Sequence, residues 1–91
     1  MQGSLDVGVP KQLSASANVK ASSGSLIGIF CSSASGSPTI TIYDDAASGT
    51  TTKIVDTFTP VAGTFYRLPC SYANGLNVVI AATTSITVFY V

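Results

Sequence analysis

Apolar and polar positions alternate along most of this chain in short runs of period two, and no stretch of any length carries a helical period. β-Branched and aromatic residues cluster in these runs, and Gly, Ser, Asn and Pro bound them. The pattern predicts strands at Asn18 to Ser22, Leu26 to Ser32, Thr39 to Tyr43, Thr51 to Phe58, Thr64 to Cys70, Leu76 to Ala81 and Ile86 to Val91. Turns are expected at 22–24, 33–38, 44–49, 60–63, Asn74-Gly75 and 82–85. Asn74-Gly75 reads as a type I′ turn, whose two central positions both need positive φ. Seven short strands at this spacing predict an all-β fold: a small antiparallel β-sandwich or jelly-roll-like barrel of about seven strands.

Side-chain alternation assigns faces to these strands. Ile40 and Ile42 oppose Thr39, Thr41 and Tyr43. Leu76, Val78 and Ile80 share one side, as do Ile86, Val88 and Tyr90. Ile27, Ile29 and Cys31 align, with Leu26, Gly28 and Phe30 opposite. Beyond Thr87 the last strand is apolar on both faces, so it is either central or covered by a neighbouring subunit, since an exposed edge of that kind would aggregate. Residues 1–14, with two Gly and a Pro, show no convincing alternation. They read as an extended N-terminal arm available to a partner, with residues 15–91 forming the β domain.

Composition sharpens this picture. A domain of 91 residues buries only about 60% of its unfolded surface. Hydrophobic residues make up 46% and charged residues 9%, against about 25% charged in an average soluble domain. The apolar content excludes disorder. Its excess, on a chain kept soluble largely by 24 Ser and Thr, implies a surface that faces another subunit or partner. Four cations and four carboxylates are scattered to a net charge of zero, so no basic face for a nucleic acid can be drawn. No apolar run approaches the roughly 20 residues of a membrane-spanning helix, and the N-terminus lacks the pattern of a secretory signal. Folding in the cytosol is expected.

Candidate chemistry is sparse. Asp44 and Asp45 lie between two apolar runs and could converge only in a loop. There, Asp carboxylates cap backbone amides, and Ser48-Gly49 completes the connection. A calcium site is the functional alternative, but the spacing is not that of an EF-hand loop, and the chain has no Glu. Paired-carboxylate glycoside hydrolysis needs two groups flanking a sugar. Serine or cysteine catalysis needs a base, and the chain has no His. No enzyme, metal or cofactor is expected. Cys31 and Cys70 read as small buried thiols, with one disulfide as the alternative. The eight Phe and Tyr residues read as core and interface packing in preference to a sugar- or base-stacking platform. Arg67 is either an inter-subunit contact or an ordinary exposed arginine.

The stretches "SGSLIGIFCSSASGSPTITIYDDAASGTTTKIVDTFTPVAGTFYRLP", "NGLNVVIA" and "ITVFYV" resemble a group of short bacteriophage virion proteins. In that group a strand ending in a Tyr-Asp-like pair precedes a small-residue loop, an "AGTFY"-like segment leads to Leu-Pro, and Gly-Leu opens the penultimate strand. The resemblance runs from about residue 18 to the end and leaves residues 1–17 outside. It implies a β-sandwich subunit of the virion, made in the host cytoplasm and decorating the capsid or sitting at the neck or tail. Its implied partner is the major capsid protein or another virion protein. It carries no catalytic residues. A homo-oligomer, with a trimer suited to three-fold capsid sites, is the expected state.

Overall fold

A computed structural model describes residues 8–91 as one antiparallel sheet of six strands, with no helix among them. They are β1 (Val9–Leu13), β2 (Ala17–Lys20), β3 (Gly24–Tyr43), β4 (Lys53–Phe58), β5 (Thr64–Tyr72) and β6 (Leu76–Tyr90). The all-β expectation holds. The expected seven strands do not, because two predicted pairs are each one long strand. Leu26 to Ser32 continues through 33–38 into Thr39 to Tyr43, and Leu76 to Ala81 continues through 82–85 into the last strand.

The two stretches expected to reverse the chain bend it instead. Gly36, Ser37 and Ala82 sit in the left-handed region, with φ of 73°, 53° and 64°. The register jumps from Ser35↔Thr83 to Thr39↔Ala81, so β3 spends four steps where β6 spends two. Turn-forming residues thus serve as a bulge, which kinks a pair of strands and tightens its twist without ending it.

β3 and β6 pair from Leu26↔Tyr90 to Tyr43↔Asn77, and the remaining strands flank them. On one side of the bend the order is β5-β3-β6-β1; on the other it is β4-β3-β6-β2. The buried side chains of both halves form one cluster, with Ile29, Cys31, Ile86 and Val88 from the first half and Ile40, Ile42, Leu76 and Val78 from the second, all 0% exposed. One face of an open sheet cannot be sealed from water without a cover. No helix among the described residues supplies it, and the buried side chains of both halves meet in that one cluster. Each fully buried aliphatic side chain there contributes about 1.5–3 kcal/mol.

The predicted faces hold for Ile40 with Ile42, Leu76 with Val78, Ile86 with Val88, and Ile29 with Cys31. They fail at Leu26 and Ile27. A register shift between Leu26 and Gly28 turns Leu26 into the core at 1% exposure and leaves Ile27 half-buried beside Phe30, Phe65 and Phe89.

The end of β6 beyond Thr87, apolar on both faces, is central: β3 pairs along one side of it and β1 along the other. The four flanking strands are short or carry residues that discourage further pairing. Pro10 and Lys11 lie in β1, Lys20 in β2, and Arg67 and Pro69 in β5, while β4 bears the Lys53–Asp56 ion pair at 2.9 Å. Part of the expected arm is therefore sheet. Val9–Leu13 pairs with β6, and Leu13 reaches the core at 6% exposure. An edge strand tolerates Pro10, which can present its missing N–H outward, so weak alternation did not preclude a strand. Residues 1–7 of that arm lie outside the described residues.

Candidate functional site

The Asp44-Asp45 loop is built from its backbone outward. β3 ends at Tyr43, and Asp44 N–H donates to Thr52 O at 2.8 Å, closing the base of the connection to β4. The Asp45 carboxylate then folds back on its own loop: Oδ1 accepts from Ala47 N–H at 2.8 Å and Gly49 N–H at 3.0 Å. Asp44 reaches away, to the β5–β6 connection. Its Oδ2 accepts from Ala73 N–H at 2.9 Å, and its Oδ1 from Asn74 N–H at 2.7 Å and Gly75 N–H at 3.1 Å. These bonds, led by those from Ala73 and Asn74, hold the Asp44 carboxyl below the usual carboxylate range. Both aspartates are backbone caps, but only Asp45 caps its own turn as the sequence suggests; Asp44 caps a different connection.

Two residues that the sequence reading passed over complete this arrangement. Asn18 Nδ2 donates to Asp45 O at 2.9 Å and Ala47 O at 2.6 Å, and the buried Asn77 donates to Gly49 O at 3.0 Å. Asn is depleted in strands, so its recurrence in two strand-like stretches was the available signal. The Asn74-Gly75 connection differs from expectation. Positive φ occurs among the described residues at Gly36, Ser37, Gly63 and Ala82, not at Asn74 or Gly75, so this is not a type I′ turn. Three amides converging on the Asp44 carboxylate organise the connection instead. Gly75 is needed for space: a Cβ there would run into the Asp45 and Lys20 carbonyl oxygens.

The remaining candidate groups are also in structural use. Cys31 is buried and free, its Sγ 3.3 Å from Ser33 O and 3.5 Å from Thr84 Oγ1. Cys70 is free and half-buried, and burial pushes its thiol up. Tyr72 O–H donates to Val91 O at 3.1 Å, and Tyr66 Oη accepts from Val61 N–H at 2.8 Å. Among the described residues no group of three or more His, Cys, Asp or Glu could hold a metal ion.

What distinguishes the surface is a contrast between the two outer faces of the bent sheet. Beyond the bend, the outer face is mixed and partly covered: Thr41, paired across the strands with Val79, shares a 2.6 Å hydroxyl bond with Thr57, and the buried Asn77, paired with Tyr43, donates to Gly49 O of the Asp44-Asp45 loop. The other outer face is aromatic. Phe65 on β5 is 47% exposed, its cross-strand partner Phe30 on β3 is 36% exposed, and Phe89 on β6 meets Phe65 with ring centroids 6.0 Å apart. With Ile27 they line an open hollow of about 390 Å³. A neighbouring hollow of about 260 Å³ shares Ile27 and continues past Arg67, Pro69 and Val91. Gly28 lies beneath Phe65, which occupies the space a Cβ would need.

No protein-family model matches the chain, and no significant match was found among curated proteins or solved structures.

Proposed function

We propose that this chain is a structural subunit of a bacteriophage particle: a capsid decoration, or cement, protein that seats its aromatic outer face on the major capsid protein. The observation that carries this reading is the contrast between the two outer faces. One is partly covered by its own loop, while the other presents Ile27, Phe30, Phe65 and Phe89 to solvent. An aromatic centre is the anatomy of a protein–protein interface core, where charged residues are depleted and Phe and Tyr are enriched. The low charge of the whole chain and its resemblance to short virion proteins support the same reading.

In this reading the bent sheet is a small β-sandwich whose two layers share β3 and β6. A subunit that bridges neighbouring capsid proteins and binds only their assembled lattice stabilises that lattice by mass action. Symmetric self-association, as a trimer at three-fold sites, would multiply each weak contact. A neck or tail subunit would use the same face. Sugar binding has less in its favour: the Asp44 carboxylate is engaged by three amides, and Tyr66 and Tyr72 use their hydroxyls internally.

The test is the copy number of the chain relative to the major capsid protein in purified particles, by quantitative mass spectrometry. A ratio near parity is expected. A ratio far below it would move the subunit to the neck or tail, and absence from the particle would overturn the virion reading.

A further inference from the structure

We propose that Asn74-Gly75 is a deamidation site that the Asp44 carboxylate holds closed. Asn74 is exposed, and the residue after it has no side chain to shield its backbone nitrogen. In deamidation, the Gly75 nitrogen attacks Asn74 Cγ. A bond forms between them, the Cγ–Nδ2 bond breaks, and the nitrogen's proton leaves with the side-chain amide as ammonia. Water then opens the succinimide at either carbonyl, giving Asp or an isoaspartyl linkage. Water is the only co-reactant, and nothing is oxidised or reduced.

Here the attacking nitrogen is engaged. Gly75 N–H donates to Asp44 Oδ1 at 3.1 Å, and the two preceding amides are held by the same carboxylate. Gly75 is itself buried, packed under the Asp45 and Lys20 carbonyls and Ala46 Cα. Attack requires that hydrogen bond to break and the peptide plane to rotate, so cyclisation waits on local opening of the connection. The neighbouring negative charge also opposes loss of the amide proton. Asp44 is a poor base for removing that proton, because the bonds that hold it depress its proton affinity.

The lesion would then maintain itself. A carboxylate at position 74 would repel Asp44, and an isoaspartyl linkage would insert a methylene into the backbone whose amides the clamp holds. Either change loosens the tie between the β3–β4 and β5–β6 connections. This inference concerns the durability of the fold and stands independently of the virion reading.

The experiment incubates the purified chain in mildly alkaline buffer and measures deamidation at residue 74 by peptide mass spectrometry. A synthetic peptide of residues 70–78 runs in parallel, as do Asp44→Asn, Asp44→Ala and Asp45→Ala, with circular dichroism monitoring the fold. Asp45→Ala removes the local loop cap but none of the bonds to residues 73–75. The intact chain is expected to deamidate roughly tenfold or more slowly than the peptide. Both Asp44 variants should approach the peptide rate, and Asp45→Ala should stay near the intact chain. An intact chain as fast as the peptide would overturn the proposal. So would Asp44 variants as slow as the intact chain, or Asp44 and Asp45 variants accelerated alike.

Discussion

Replacing Gly36 with Ala isolates the conformational demand of the bend in β3. Gly36 has φ of 73°, and a Cβ built there meets nothing within 4 Å. No steric contact confuses the result, so the added methyl pays only the left-handed penalty, about 1–2 kcal/mol for an L residue. A counter-term lies in the unfolded chain, which loses freedom when Gly becomes Ala and so offsets about 0.4–1 kcal/mol. The net expectation is a loss of about 1 kcal/mol. For a domain of this size that lowers Tm by about 4–8 °C.

Urea titration and calorimetry read the change, and an unaltered m-value would show that stability moved and not compactness. The reverse substitution controls the sign. Ala82, at φ of 64° near the same bend on β6, should tolerate Gly with little loss, because relief of the left-handed strain offsets the entropy Gly costs. A Gly36→Ala variant with an unchanged or higher Tm would refute the left-handed bend. The two halves of β3 would then need some other connection.

Three further outcomes are expected. Because the folded-state pKa of Asp44 lies below its ordinary value of 3.8, its contribution is fully present above that value and is lost as pH falls through the lower folded one. An acid titration of stability should show this drop in the native chain and lack it in Asp44→Asn; identical profiles would remove the clamp from the balance. Phe65→Asp, which removes the ring contact with Phe89 and puts a poor strand former into β5, should cost about 1–2 kcal/mol, leave the chain folded and abolish binding to particles in a co-sedimentation assay, and undiminished binding would exclude the aromatic face. Deleting residues 1–13 removes β1 and the burial of Leu13, worth about 1.5–3 kcal/mol. An unchanged Tm after that deletion would show that β1 does not belong to the cooperative unit.

Much of the fold was legible because alternation reports burial directly. Ile40 with Ile42, Leu76 with Val78, and Ile86 with Val88 were grouped on shared faces by period alone, and each of those faces is the buried one. Connectivity was less legible. A run such as Ser33 to Pro38 holds the residues of a turn and of a bulge alike, and whether the chain reverses depends on what β6 offers as a pairing partner, which is a tertiary fact. The same holds for Val9–Leu13, whose place on β6 comes from backbone bonds that leave little trace in side-chain pattern. At the loop, local chemistry sufficed for Asp45, which caps residues two and four positions on. Asp44 acts across about 30 residues, where sequence spacing carries no distance information.

The single-sheet architecture also bears on why the two outer faces came to differ. With β3 and β6 running through both halves, the strand ends at Tyr43 and Asn77 fall side by side. The connection leaving Tyr43 is therefore delivered beside Asn77, where Asn18, Asn77 and the two aspartates fasten it down. At the other end of the pair, Leu26 meets Tyr90, and the connection that enters β3 there is short, residues 21–23. The first half thus has no comparable loop, among the described residues, to lay over its outer strands. The described loops therefore leave its aromatic face uncovered, while the fastened loop lies over the outer face of the second half.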